Sequence, residues 1–148
     1  MGIYSERLVI FWKRNPVRYL LLPFDVRFYK DDKQDLAIQT VLQPDICVIY
    51  DKNKIDYKGC IGAPDLIVEI LSPGNTKVEL LHKYQVYQEF GVKEYWVVSQ
   101  SDQSILIYTL NEHGKFQPSK IFTLSEKITS TVLPGFELAL DNVFGNLD

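Results

Sequence analysis

Apolar and polar positions repeat with two different periods along this chain, and the switches between them mark the elements. Leu8, Phe11 and Trp12 recur at i, i+3 and i+4, which predicts a short helix over 5–14 that Asn15-Pro16 stops. Phe24, Val26 and Phe28 alternate with Asp25 and Arg27, the period of a half-buried strand. A polar connection rich in Asp and Lys fills 30–38. Two segments near 45–50 and 65–71 are almost continuously apolar, as strands covered on both faces are, and they form the expected core. Ser72-Pro73-Gly74-Asn75 breaks the second. Thr76 followed by Glu79 has the spacing of a capping box, so a helix is expected from there to about Phe90, ended by Gly91. Tyr95-Trp96-Val97-Val98 reads as the next strand, and the order strand, helix, strand over 65–98 is that of a right-handed parallel crossover. Beyond it, residues 105–108, the turn at 111–114, and segments 116–124 and 136–140 read as antiparallel strands.

At 148 residues the chain fits a single domain spanning 1–148. With 46% hydrophobic and 24% charged residues it is neither collagen-like nor disordered. Cys47 and Cys60 lack C-x-x-C spacing, and Cys47 sits inside an apolar run, which fits inert buried thiols in a reducing cytoplasm. No apolar run has the length of a membrane span, and no secretory leader is expected. The formal charge of −3 is uneven: residues 1–30 carry +4 and the remainder −7. Such a balance excludes a sequence-independent DNA coater, so any nucleic acid must be met locally.

Three acids stand at or inside apolar strands, where an ionised carboxylate is costly unless it is paired or metal-bound. Asp45 and Asp65 each follow a proline at a strand entrance, in the echoing segments Pro44-Asp45-Ile46-Cys47-Val48 and Pro64-Asp65-Leu66-Ile67-Val68. Either could simply cap a turn there. Glu69 lies between Val68 and Ile70, so it is either ion-paired in the core or at work. Asp65 and Glu69 share a strand face but stand roughly 13 Å apart along it, whereas Asp45 and Glu69 could meet from neighbouring strands. On the following helix, Leu80, Leu81, Tyr84, Tyr87 and Phe90 cover one arc, and Lys83 projects onto that arc toward the sheet, unless its stem snorkels to solvent. Lys77 projects near it too, but from the first turn, where solvent is close.

Two strand carboxylates and a lysine suit phosphodiester hydrolysis: the carboxylates hold Mg²⁺ or Mn²⁺, and the ammonium positions water. Competing constellations are weak. His82 falls on the polar side of the helix, His113 sits in a turn, and neither a G-x-S-x-G elbow nor a Walker loop is present.

The motifs Gln43-Pro44-Asp45-Ile46, Gly62 to Pro73, Lys83 with Tyr87, and Gly91 to Val98 together resemble the Uma-two restriction-endonuclease family of the PD-(D/E)xK nuclease superfamily. The resemblance runs from about Phe24 to Phe144. It implies an α/β fold, a restriction-endonuclease-like mixed β-sheet flanked by helices with antiparallel strands at the C-terminal end. It also implies DNA as partner and Mg²⁺ or Mn²⁺ as cofactor, with Asp45 and Glu69 as metal ligands and Lys83 as the third catalytic residue. The superfamily's lysine, two positions after the acid, would fall at Leu71; the resemblance moves that role to Lys83. Asp65 matches a motif position that leaves open whether it binds metal or holds the strand; it and Tyr87 are the candidates for a supporting place beside the site. Relatives usually carry a further N-terminal helix with a glutamate near the site, which Glu6 replaces poorly, so the N-terminal segment is expected to be shortened. The activity expected is metal-dependent DNA cleavage. The alternatives are a nuclease-fold module that binds or assembles without turnover, and a structural domain with a buried Lys83–Glu69 ion pair. Exposed strands after residue 100 could pair two copies into a homodimer.

Overall fold

Side-chain alternation across strands decides how this molecule is layered. The structure is a computed structural model and describes residues 20–21, 25–30 and 38–145. The helix expected over 5–14, Glu6, and most of the polar connection lie outside the described residues.

In chain order the described elements are β1 (Leu20–Leu21), β2 (Val26–Tyr29), β3 (Ile38–Leu42), β4 (Ile46–Val48), β5 (Ile55–Asp56), β6 (Gly59–Ile61), β7 (Leu66–Leu71), α1 (Lys77–Glu89), β8 (Glu94–Ser99), β9 (Ser104–Leu110), β10 (Phe116–Pro118), β11 (Lys127–Thr129), β12 (Glu137–Ala139) and α2 (Leu140–Phe144). A six-stranded sheet has the order β1-β4-β7-β8-β9-β10. Its neighbours are antiparallel except β7 and β8, which α1 connects as a parallel pair. A four-stranded sheet, β3-β2-β6-β5, and the β11-β12 ribbon complete the set. No helix among the described residues is long and apolar enough to cross a membrane.

The period-two rule sorts the central strands onto two faces. Ile46, Val48, Leu66, Val68, Trp96 and Val98 pack with Ile128, Leu138, Leu140 and Phe144, from the ribbon and α2. Cys47, Ile49, Ile67 and Tyr95 point the other way, against Val86 and Tyr87 of α1 and Val26, Phe28 and Cys60 of the smaller sheet. Both cysteines are thus buried, and loss of water pushes their thiols up to about 12, which leaves them unreactive. Glu69 has the parity of Ile67, so it faces α1.

The expected core strands, the α1 boundaries with both halves of the Thr76–Glu79 capping box, and the parallel crossover partners are all present. Gly91 follows the helix at φ +83°, where a side chain would be strained. Three expectations change. Helical periodicity puts Leu81 on the buried arc, but it is 57% exposed, and Val86 is buried instead, because α1 rests on the sheet through its C-terminal half. The strand expected over 116–124 stops at Pro118, which has no N–H to donate onward, although Phe122 bridges Ile105. The strand expected over 136–140 divides into β12 and the start of α2.

Candidate active site

The β4–β7 register sets the centre of the site. Ile46 pairs with Val68 in the antiparallel ladder, so Asp45, one residue before β4, stands across from Glu69. Asp45 Oδ2 accepts the Ile70 N–H at 2.7 Å, which holds the aspartate against the end of β7. Glu69 is 4% exposed.

α1 closes over this pair with two side chains four residues apart, a spacing that stacks them on one helix face. The Tyr87 hydroxyl donates to Glu69 Oε1 at 2.6 Å, and Lys83 Nζ donates to Oε2 at 3.1 Å. The Lys83 side chain keeps 23% of its surface exposed, so its ammonium bridges the buried acid and the open space beside it. Burial pushes the Glu69 carboxyl up to about 7; the Tyr87 hydrogen bond and the Lys83 charge oppose that rise, while the Asp45 charge adds to it. Burial also raises Tyr87, with the neighbouring Glu69 charge acting in the same direction, so its proton stays on the phenol.

The pocket in front of these groups has a volume of about 280 Å³, and Asp45, Glu69, Lys83, Gln43, Asn75 and Gln100 contribute to its wall. Asp45 and Glu69 fit a small hard cation. Mg²⁺ commonly takes one or two protein carboxylates and completes its shell with water and phosphate oxygens. Each Glu69 oxygen accepts one hydrogen bond and retains a second lone pair. Among the described residues no three His, Cys, Asp or Glu side chains cluster for a metal, so a closed zinc-type cage is not formed.

Of the residues singled out from the sequence, Asp45, Glu69, Lys83 and Tyr87 come together. Asp65 does not join them. Its Oδ2 accepts the Tyr50 N–H at 2.9 Å, its Oδ1 pairs with Lys93 at 3.0 Å, and it lines a separate cleft with Tyr29, Lys30 and Lys54. The expectation of a supporting place beside Glu69 is therefore corrected: Asp65 enters β7 at the other end of the strand. Pattern reading also passed over Glu94, which is 1% exposed. It accepts hydrogen bonds from Trp96 Nε1, Ser130 and Thr131, and so ties the segment before β12 to the sheet. Gln43, Asn75 and Gln100 had no periodic signal; only their proximity to the acids brings them into view.

A family model, Uma2, described as "Putative restriction endonuclease", matches residues 12–141. None of the curated proteins matches the chain. Among solved structures, the chain is similar to a protein described as a putative nuclease belonging to DUF820 from Anabaena variabilis. The two are 17% identical with a TM-score of 0.67, over 95% of this chain and 75% of that one. At this identity the likeness establishes the fold, a mixed α/β architecture shared with that protein.

Proposed function

Because the chain belongs to the Uma2 family, matched from residue 12 to 141, we propose that it is a metal-dependent endonuclease that hydrolyses DNA phosphodiester bonds. Asp45 and Glu69 would hold Mg²⁺ or Mn²⁺, and Lys83 would orient the attacking water. The observation that carries this reading is the convergence of Asp45, Glu69 and Lys83, from two strands and a helix, on one open pocket. A core ion pair alone would not need the second carboxylate or the opening.

When bound, the ion supplies positive charge to a phosphate oxygen and makes water a better nucleophile. The chain's own groups do the rest. Tyr87 pins one Glu69 oxygen and so fixes the carboxylate plane. Lys83, with further N–H donors beyond its bond to Glu69, holds a water or a phosphate oxygen at the pocket mouth. In the hydrolysis a new bond forms between the water oxygen and phosphorus while one ester P–O bond breaks. The water's protons end on the leaving oxygen and in solvent.

A second reading has an observation of its own: both Glu69 oxygens are already engaged, by Tyr87 and Lys83. That is how a non-catalytic module would fasten α1 to its sheet. Cleavage of plasmid and single-stranded DNA decides between them, comparing parent, Asp45→Ala and Glu69→Ala in Mg²⁺, Mn²⁺ and chelator. The endonuclease reading expects ion-dependent cleavage in the parent and none in either variant. Hydrolysis that persists in a variant, once contaminating nuclease is excluded, overturns it.

A further inference from the structure

The turn between β7 and α1 presents a hydrogen-bond donor whose orientation the backbone fixes. Asn75 N–H donates to the Ser72 carbonyl at 3.1 Å. In return, Asn75 Oδ1 accepts the Ser72 N–H at 2.8 Å and the Ser72 hydroxyl at 3.2 Å. A backbone N–H can be met only by the oxygen of a carboxamide, so the side chain cannot flip, and Nδ2 is the end left over. Nδ2 makes no hydrogen bond among the described residues, although Asn75 is half-buried.

Asn75 stands where two spaces meet. It lines the pocket of Asp45, Glu69 and Lys83, and also an adjoining cleft of about 710 Å³ that extends to Ser99, Ser101 and Asp102. Leu71, Ser72 and Gln100 are shared by both walls. Gln100 follows β8, the parallel neighbour of β7, and its carboxamide likewise has no partner among the described residues. The charged groups on the two walls are Asp45, Glu69, Asp102 and Lys83, and Lys83 is committed to Glu69. Among the described residues, then, Lys83 is the one cation on these walls, and beyond its reach an anion entering this junction is met by neutral N–H donors.

We propose that Asn75 is a substrate-binding residue whose Nδ2 donates to a non-bridging phosphate oxygen of the strand being cut, with the Gln100 carboxamide as the second donor. The assignment rests on the endonuclease reading and names how that site grips its substrate. Carboxamides serve this purpose well: they fix the register of a phosphodiester without sequence preference and without competing with a cation for the carboxylates.

Asn75→Asp tests it, because the substitution keeps the oxygen that accepts from Ser72 and puts a charged oxygen in place of the N–H donors. Gln100→Met, of similar shape and uncharged, separates loss of the donor from added negative charge. Four quantities are compared with the parent: melting temperature, Mn²⁺ affinity without DNA, affinity for a labelled DNA duplex in Ca²⁺, and kcat/KM in Mg²⁺. The expected result is an unchanged melting temperature and no weakening of Mn²⁺ binding in either variant. DNA affinity and kcat/KM should fall about tenfold or more for Asn75→Asp, the range for a hydrogen bond to a charged group, and roughly threefold to tenfold for Gln100→Met, the range for an ordinary one. DNA affinity and kcat/KM that stay within about twofold of the parent in both variants overturn the proposal. So does a loss that tracks a lowered melting temperature or weakened Mn²⁺ binding, since a purely structural turn predicts that. Asp45→Asn serves as the control: if it cleaves like the parent, the endonuclease reading has failed, whatever the Asn75 variants show. A parent that binds no DNA in Ca²⁺ overturns both.

Discussion

Two five-residue segments, Pro44-Asp45-Ile46-Cys47-Val48 and Pro64-Asp65-Leu66-Ile67-Val68, enter adjacent antiparallel strands from opposite ends and start by doing the same thing. Each aspartate accepts a backbone N–H from the neighbouring strand just past its paired residues, Asp45 from Ile70 and Asp65 from Tyr50. The pair is nearly two-fold symmetric. What breaks the symmetry is the residue facing each aspartate. By the register, Asp45 faces Glu69, whereas Asp65 faces Ile49. Only the first end therefore brings two carboxylates together, and only there does α1 deliver Lys83 and Tyr87. The second end is closed by the mostly exposed Lys93. Capping is thus the shared role of a Pro-Asp step, and the candidate site lies where a second acid and a helix cation are added to it.

The largest test of this contrast is cleavage. Asp45→Ala should lower the DNA hydrolysis rate about a thousandfold, because the charge it removes is worth several kcal/mol in the transition state. Asp65→Ala should leave the rate within about threefold of the parent while costing about 2 kcal/mol of stability through the orphaned Tyr50 N–H. Equal rate losses in both variants would erase the functional difference between the two ends.

The next test uses pH. The folded-state pKa of Glu69, about 7, lies above the ordinary glutamate value of the unfolded chain. Between the two the folded protein binds more protons. The stabilisation is therefore complete below pH 4 and is lost as pH rises through 7, by about 3 kcal/mol at most. Denaturant melts at pH 5 and pH 8 in chelator should show this loss. Glu69→Gln should flatten the slope, whereas Asp65→Asn should leave it. A slope unchanged in Glu69→Gln would mean that another group titrates.

Metal binding gives a smaller effect. If the ion binds with a dissociation constant of about 1 mM, roughly 10 mM Mg²⁺ stabilises the folded state by about 1.4 kcal/mol, a shift of a few degrees in Tm. Asp45→Asn should abolish the shift. Without metal it should melt at or above the parent temperature, since it keeps an acceptor for the Ile70 N–H and removes a charge that repels Glu69. An Asp45→Asn protein that is destabilised in chelator and still responds fully to Mg²⁺ would refute the metal assignment. Smallest of all, Asp65→Asn should cost about 0.5 kcal/mol through the partly exposed Lys93 pair and leave the Mg²⁺ shift intact.

The sequence by itself determined whatever depends on neighbours a few residues away. The alternation of Phe24 to Phe28, the apolar runs before and after Ser72, and the Thr76–Glu79 spacing each specify an element, because side-chain direction and capping repeat with a local period. The same local geometry turned Lys83 toward the sheet. Glu69 stood out because a carboxylate inside an apolar strand needs a partner. What only the tertiary structure decided was which partners meet. A one-residue slip of β4 against β7 would send Asp45 to the opposite face, and nothing within either segment prevents that slip; the packing of both faces of the sheet does. For the same reason Asp65 and Asp45 look alike in sequence, Glu94 passes unnoticed until Ser130 and Thr131 come back to it, and Leu81 is apolar yet exposed. β11 and α2 escaped because they are short and take their place from the core they cover. Local periodicity supplied the candidate residues, and long-range register, set by burial of two opposite faces at once, selected Asp45 over Asp65 as the partner of Glu69.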